Sequence, residues 1–448
     1  MIIRLVGITD PPLEIGHNWR QATGLMVARN FLEVDPSILY PRTDETGTGT
    51  GIMGMEFPLL NYLHYLVALI FGYQHWYGRL IVLLVSSIGS WYFYKLIRSY
   101  FSDRTALFAL LMLLVSVWFP FSRKMMPDVF CISLMMIALW QLSAYLQNGE
   151  WIRLLEYVLL GSLAILSKIP AGIYFALLVP LFFVTTAKHR WWIASVSTLV
   201  PVGAAFWWYF IWNPHLAEAS GVWYNAGVAF SDGVADIASN LGEVLERFYF
   251  SSFHSYVLFA VVLIGLFFVV RNRSKKHWVA LVSVGLVYLI YMFKSGFYFY
   301  HHSYYIIPFV PVMALIGGYG AAQLMWKNLG VILLAIGMIE GVANQQHDFF
   351  LKDSERYKMR LEEIANDHIP EGELVAINGN GNPQQLYLSH RMGWVIEDDW
   401  LKNDNYLQDL SQAGCDWLLL NKTTGPLIPK DRDPVYEDEE FVLFKLNQ

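Results

Sequence analysis

The sequence has little charge, very little cysteine and no recognisable nucleotide-binding motif. Only 15% of its 448 residues are charged, and the net charge of −6 forms no acidic or basic block, so a nucleic-acid partner is not predicted. The two cysteines, Cys131 and Cys415, lie far apart and predict neither a disulfide framework nor a metal cluster. Residues 379–383 form a turn after a predicted strand, but they lack the Walker lysine and the GxGxxG spacing.

Apolar residues dominate instead. They make up 55% of the chain, and 16% is aromatic, which is too much apolar surface for a soluble fold. A membrane-spanning helix needs about 20 mostly apolar residues. The sequence therefore predicts a polytopic α-helical membrane protein with spans near 77–97, 105–121, 129–146, 154–167, 169–187, 191–212, 253–270, 278–293, 303–323 and 328–345.

An eleventh apolar stretch and the loop charges set the predicted orientation. Lys and Arg are retained on the cytoplasmic side, and the basic group at residues 271–276 marks a cytoplasmic loop. Alternation from that loop puts residues 122–128, residues 213–252 and everything after 345 outside. The short stretch at 57–72 is then predicted as a juxtamembrane helix on the outer face. The predicted number of membrane helices is therefore 10, or 11 if this stretch also spans.

Composition divides the chain into three parts. Residues 1–75 are predicted as a first outer loop, with a helix near 17–33 and a Gly/Thr-rich loop at 43–54. Residues 76–345 form the membrane domain. Residues 346–448 form a small extracytoplasmic α/β domain, with a helix near 354–366 and strand-like runs at 373–378, 417–421 and 440–446.

The apolar run at the start of the chain is short. Residues 1–8 are too few for a signal peptide, and a loop like 43–54 normally follows a first membrane helix. The sequence therefore predicts that this helix is either missing or encoded upstream of the present start.

Charged residues concentrate on the predicted outer side, where they mark either sites or ion pairs. Glycosyl transfer from a lipid phosphate needs a carboxylate that takes the acceptor proton and cations that hold the departing phosphate. The outer acids are Asp10, Glu14, Asp44, Glu45, Glu56 and Asp128, and the outer bases are His17, Arg20, Arg79, Arg123, Lys124, Lys168, Lys294, His301 and His302.

Each of these candidates also has a structural interpretation. Asp128 and Glu56 stand at predicted helix starts, where a carboxylate favours the helix dipole. Lysines such as Lys168 and Lys294 extend to the membrane interface, and the His301–His302 pair stands among interfacial tyrosines. A metal held by His17 and Asp128 has no supporting ligand spacing, so no metal site is predicted and a divalent ion is not favoured.

Short motifs in a fixed order resemble the GT-C superfamily of membrane glycosyltransferases. The likeness is greatest to the family 39 type, which contains protein O-mannosyltransferases and the lipid A aminoarabinose transferase. The motifs are EIGHNWRQ at 14–21, EFPL at 56–59, SRKMMPD at 122–128, SKIP at 167–170 and HHSYY at 301–305. All of them lie outside in the topology predicted from charge.

This resemblance implies an inverting glycosyltransferase whose donor is a polyprenyl-phosphate sugar. For a bacterial inner membrane the carrier would be undecaprenyl phosphate, with a lipid, glycan or protein acceptor on the periplasmic side. The resemblance implies catalytic roles for Glu14, Asp10 and Asp128, and substrate or phosphate contacts for His17, Arg20, Glu56, Arg79, Arg123, Lys124, Lys168, Lys294, His301 and His302.

The motifs depart from the family pattern at two places. The family often has an adjacent Asp-Glu pair in the first loop, whereas three residues separate Asp10 from Glu14 here. Either acid can therefore be the base; Glu14 is favoured because it is nearer to the Trp19–Arg20 helix. Phe57 also stands where the family often has a lysine beside the proline, which leaves phosphate contacts to other cations.

Two other functions compete with this one. A glycan ligase or polymerase would use the same lipid-linked donor class. A flippase or other transporter of lipid-linked sugars would usually show inverted repeats and polar groups at the membrane midplane. The sequence shows no such repeat, and its charges lie at one face.

Overall fold

The computed structural model describes residues 2–13, 16–220, 227–273, 275–324, 328–403, 405–429 and 432–446. The chain forms two compact units. The first, called the helical unit, comprises Met1–Ile8, Arg79–Ile211 and Asn225–Phe349. The second, called the mixed unit, comprises Thr9–Gly78, Trp212–Tyr224 and Phe350–Gln448. The first outer segment and the C-terminal region thus belong to one unit, while the domain boundaries drawn from composition stay a prediction.

The helical unit consists of apolar helices joined by short 3-10 and π-helical segments. Its elements in chain order are Ile2–Leu5, Tyr77–Tyr100, Asp103–Val115, Trp118–Phe121, Pro127–Asn148, Trp151–Ser167, Ile169–Leu177, Leu178–Val184, Lys188–Ser197, Leu199–Trp207, Trp208–Trp212, Phe230–Ser239, Leu241–Glu246, Arg247–Ser251, Tyr256–Arg271, Lys275–Ser295, Phe297–His301, Ser303–Ile306, Val310–Gln323, Leu329–Gln345 and Gln346–Phe349.

Five helices within the described ranges are long and apolar enough to cross a membrane: Tyr77–Tyr100, Pro127–Asn148, Lys188–Ser220, Trp278–Ser295 and Leu329–His368. A sixth results if Leu241–Ser251 and Tyr256–Arg271, which meet at 93°, are one broken span. The polytopic helical architecture is confirmed.

Full-length helices are fewer than the ten predicted runs, because several runs are interrupted. The run at 105–121 breaks at Ser116, whose extended backbone ends the Asp103–Val115 helix. The run at 169–187 begins as a 3-10 helix beside Pro170.

Glycines allow three of the helices to approach closely. A Cβ atom at Gly265 would lie 2.0 Å from the Ile316 carbonyl oxygen, and one at Gly318 would lie 2.4 Å from the Ala109 nitrogen. Small residues at such crossings are typical of packing in a membrane, where helices associate by close contact rather than by the hydrophobic effect. The Val310–Gln323 helix is therefore packed tightly between Asp103–Val115 and Tyr256–Arg271.

The mixed unit contains a five-stranded sheet. Its strands are β1 (Val375–Asn378), β2 (Gly393–Ile396), β3 (Trp417–Asn421), β4 (Tyr436–Glu437) and β5 (Phe441–Lys445), in the order β2-β1-β3-β5-β4. β1 pairs in parallel with β2 and β3, and β5 pairs antiparallel with β3 and β4. The helices of this unit are Asn18–Glu33, Leu59–Phe71, Asn213–Ser220, Asp353–Arg360, Leu361–His368, Gln384–Ser389, Asp398–Lys402, Tyr406–Gln412 and Lys422–Thr424. The predicted C-terminal α/β region is confirmed.

The first outer segment packs directly on this sheet. The backbone N–H of Gly47 donates to the Gly393 carbonyl at 2.8 Å, and the N–H of Gly393 donates to the Asp44 carbonyl at 3.0 Å. The Asn18–Glu33 helix packs against Gln384–Ser389. Residues more than 300 positions apart in the sequence are thus in direct contact.

Candidate active site

In the helical unit, three segments position a polar cluster formed by Asp128, Lys168, Tyr304 and Tyr305. Asp128 is the second residue of the Pro127–Asn148 helix, and Pro127 favours a helix start there because its φ is already helical. Lys168 has an extended backbone between two helices, as expected for a chain that approaches Pro170 and cannot continue the helix. The tyrosines lie in the Ser303–Ile306 turn.

The acid and the lysine of this cluster form a buried ion pair. Lys168 Nζ lies 2.5 Å from Asp128 Oδ1, and the two side chains are 15% and 5% exposed. The ammonium also lies 4.8 Å from the Tyr304 ring centroid and 5.9 Å from that of Tyr305. Asp128 Oδ2 is buried and accepts no hydrogen bond from the described residues. Since a buried acceptor without a donor is costly, this oxygen is suited to a hydroxyl or amine supplied by a ligand.

Of the two predicted histidines, the structure brings one to the cluster. The His302 ring stacks on Tyr304 and Tyr305, with centroids 5.2 Å and 5.9 Å away. His301 is exposed and stacks on Phe297 at 4.9 Å. His302 therefore belongs to the aromatic wall beside Lys168.

The predicted cations of the helical unit have different surroundings. Lys124 is 2% exposed and its Nζ lies 2.7 Å from Asp348 Oδ1, whereas the Arg123 guanidinium lies 4.5 Å from the Phe349 ring centroid. Arg79 is fully buried. Lys294 is exposed and donates to the backbone carbonyl of Val228. Lys124 and Lys168 thus form ion pairs with carboxylates of the same unit.

Arg4 is a buried cation that the sequence analysis missed. Its guanidinium donates to Ser122 Oγ at 2.8 Å and to Ser87 Oγ at 3.1 Å. Within the described residues, no carboxylate lies within ion-pair distance of it. Arg4 thus binds Ser122, the residue before Arg123. The sequence signal that could have identified Arg4 is a lone arginine in the apolar run at residues 2–8.

The mixed unit contains the other predicted site residues. Arg20 forms an ion pair with Glu56, and both side chains are largely buried. His17 precedes the Asn18–Glu33 helix with a φ of 63°, which is uncommon for a residue other than glycine. Asp10 is partly exposed. Glu14, the favoured base, lies outside the described residues.

Asp44 takes a structural role in this unit. Its Oδ2 lies 2.5 Å from Arg29 Nη2, and its Oδ1 accepts from Asn30 Nδ2 at 2.8 Å. Arg29 also donates to the Tyr387 carbonyl at 3.2 Å. This acid therefore joins the first outer segment to the C-terminal region.

No group of three or more His, Cys, Asp or Glu side chains is arranged to hold a metal ion in the described part of the chain. The absence of a metal site stays a prediction.

Residues 56–228 match a family model described as dolichyl-phosphate-mannose-protein mannosyltransferase. No curated protein matches the chain as a sequence. Solved structures show the likeness over almost the whole chain. ArnT from Cupriavidus metallidurans bound to undecaprenyl phosphate superposes with a TM-score of 0.61 at 13% identity, over 99% of this chain and 96% of that one.

Two further solved structures share the fold. The oligosaccharyltransferase AglB from Archaeoglobus fulgidus, solved with an inhibitory peptide and a dolichol-phosphate, has a TM-score of 0.52 at 13% identity, over 94% of this chain and 68% of that one. The arabinofuranosyltransferase AftD from Mycobacteria has a TM-score of 0.52 at 11% identity, over 99% of this chain and 41% of that one. All three are GT-C enzymes by fold, and the resemblance predicted from the motifs is confirmed.

Proposed function

We propose that this chain is an integral membrane glycosyltransferase of the GT-C superfamily, which transfers a sugar from a polyprenyl-phosphate donor to an acceptor on the extracytoplasmic face. The superfamily is supported by the fold together with the family match over residues 56–228. The donor class is supported by relatives solved with undecaprenyl phosphate and dolichol-phosphate.

The reaction displaces the carrier phosphate with inversion at the anomeric carbon. An acceptor oxygen forms the new bond to that carbon, the bond to the phosphate oxygen breaks, and its electron pair remains on the phosphate. The acceptor proton passes to a carboxylate. Since the phosphate leaves as a stable anion, no general acid is required, and cations that hold it stabilise the transition state.

The observation that carries this proposal is the Asp128 carboxylate. One of its oxygens is held by Lys168, while the other is buried and accepts no hydrogen bond from the described residues. We propose that Asp128 Oδ2 accepts a hydrogen bond from the acceptor or donor sugar, and that the Lys168 ammonium shifts toward the carrier phosphate when the donor binds. The tyrosine rings beside Lys168 stabilise the ammonium if it leaves the carboxylate.

The remaining roles are proposals from the sequence motifs. Glu14 or Asp10 acts as the base. The phosphate and sugar contacts come from His17, Arg20, Glu56, Arg79, Arg123, Lys124, Lys294, His301 and His302. We further propose undecaprenyl phosphate as the carrier, the bacterial inner membrane as the location, a periplasmic active site, and a lipid, glycan or protein as the acceptor.

The proposal is tested by transfer of radiolabelled sugar from synthetic polyprenyl-phosphate sugars to a membrane extract. Wild-type protein is compared with Asp128→Asn, Glu14→Gln and Asp10→Asn, and we expect turnover to fall at least about 100-fold for Asp128→Asn and for the variant that lacks the base. Asp103→Asn is the matched control, because Asp103 is 72% exposed and lies on the predicted cytoplasmic side.

Donor binding should survive these changes, since the carboxylates contact the reacting groups rather than the lipid. Turnover that persists in Asp128→Asn contradicts the site assignment. Absence of turnover with every donor, together with donor movement across liposomes, favours the flippase.

A further inference from the structure

The loop that follows β1 contacts the segment that contains both candidate bases. Gln384 Nε2 donates to the Pro12 carbonyl at 2.6 Å, and Asn382 Nδ2 donates to Asn18 Oδ1 at 3.1 Å. In the sequence, Pro12 comes two residues after Asp10, and Pro12 and Asn18 stand on either side of Glu14. The C-terminal region therefore holds the first outer segment at Pro12, two residues after Asp10, and at Asn18, where the Asn18–Glu33 helix begins.

Both holding side chains are themselves fixed at two points. Gln384 is 1% exposed, and its Oε1 accepts from Lys358 Nζ at 3.3 Å. Asn382 Oδ1 accepts the backbone N–H of Gln384 at 3.0 Å. Because proline has no N–H, its carbonyl is the one backbone group by which residue 12 can be held through a hydrogen bond.

The loop is in turn tied to the sheet. The N–H of Gly379 donates to the Ile396 carbonyl at 3.0 Å, and Asn380 Nδ2 donates to Asp398 Oδ2 at 2.7 Å. A Cβ atom at Gly379 would lie 2.3 Å from the Asn382 carbonyl oxygen. The position of Asn382 is thus set by β1 and by the chain that leaves β2.

We propose that Asn382 and Gln384 are positioning residues that hold the first outer segment at Asn18 and Pro12, and that the bond to Pro12 sets the location of the Asp10 carboxylate, one of the two proposed bases. This inference rests on the proposed function, because it concerns the base of that reaction. A base acts only within hydrogen-bond reach of the proton it takes. Displacement of a reacting group by about 1 Å lowers the rate by about 100-fold.

The test compares two neighbouring glutamines. Gln384→Met removes the donor to Pro12 and keeps the length of the side chain. Gln385→Met is the matched control, because Gln385 is 6% exposed and its hydrogen bonds with described residues stay inside the C-terminal region, where it donates to the Asn378 carbonyl and accepts from Asn421 Nδ2. We expect Gln384→Met to lower kcat by about 10- to 100-fold with the donor KM within about twofold, and Gln385→Met to keep both constants near wild type.

A second variant and a second readout keep the test decisive. Asn382→Ser retains a cap for the Gln384 N–H but is too short to reach Asn18, and it should lower kcat in the same direction. Hydrogen exchange of the amides at residues 16–22 should rise in Gln384→Met and stay at the wild-type level in Gln385→Met.

The two failures are distinguishable. If wild-type protein transfers sugar and Gln384→Met does so with an unchanged kcat, the positioning role is wrong while the proposed function stands. Equal losses of kcat in the Gln384 and Gln385 variants also overturn the positioning role, since they indicate general destabilisation. If wild-type protein shows no transfer, the proposed function fails, and unchanged exchange in Gln384→Met overturns the anchoring as well.

Discussion

Asp128 and Lys168 should be strongly coupled in the stability of the helical unit, because solvent screens the attraction between two buried charges only weakly. At the observed separation of 2.5 Å, two unit charges attract by about 7 kcal/mol at an effective dielectric constant of about 20. Desolvation of both groups offsets part of this attraction. Removal of one partner from a buried pair costs about 3–5 kcal/mol, since it leaves an uncompensated charge.

A double-mutant cycle measures this coupling. Asp128→Asn leaves the Lys168 ammonium without its carboxylate, and Lys168→Met leaves the carboxylate without its cation. The double variant contains neither charge, so its loss of unfolding free energy should be smaller than the sum of the single losses, by about 0.5–3 kcal/mol. The assay is denaturant titration of the purified protein in detergent micelles, followed by tryptophan fluorescence.

The Arg98–Asp103 pair provides the control. Its side chains are 56% and 72% exposed, so the same cycle on that pair should give no measurable coupling. Additive losses at Asp128 and Lys168 would refute the reasoning, because they would mean that the two charges are solvated independently.

Two further predictions concern the mixed unit. Arg29→Met should lower its unfolding free energy by about 3–5 kcal/mol, because Asp44 is 3% exposed and would lose its cation; an unchanged thermal midpoint contradicts this. His390 Nε2 lies 2.9 Å from Glu33 Oε2 and His390 Nδ1 lies 3.1 Å from Glu362 Oε1, and the hydrogen bond that the carboxylate of Glu33 accepts raises the pKa of His390 above its ordinary value. Its contribution to stability is therefore complete below the unfolded pKa of about 6.5 and is lost as the pH rises through the higher folded value. His390→Gln should flatten the dependence of the thermal midpoint on pH above about 6.5.

Much of the fold could be predicted from patterns in the sequence. The helix expected at 17–33 is Asn18–Glu33, and the strand-like runs became β1, β3 and β5, because hydrophobic periodicity is a local property that survives folding. β2 and β4 have only four and two residues, which is too short for such a pattern. The single unit formed by the first outer segment and the C-terminal region could not be predicted, since its contacts join residues such as Asp44 and Gly393.

The candidate site was predicted residue by residue but not as a set of partners. Asp128 and Lys168 each stand in a motif, yet nothing local pairs side chains that are 40 residues apart. Asp348 was missed as the partner of Lys124 because it lies in no motif. Arg4 was missed because an isolated arginine in an apolar run is the usual mark of a membrane interface.

The structure bears on one alternative that the sequence left open, the capping role of Asp128. An N-cap residue precedes the helix and accepts a hydrogen bond from the second or third helical N–H. Asp128 instead lies inside the helix after Pro127, and the N-cap position belongs to Met126. Its Oδ1 faces Lys168 and its Oδ2 accepts no backbone N–H within the described residues. The helix dipole still favours a carboxylate at this position. A residue that only stabilises the helix start needs no lysine from another segment, so the ion pair with Lys168 favours the interpretation that the Asp128 carboxylate is held in place for a ligand.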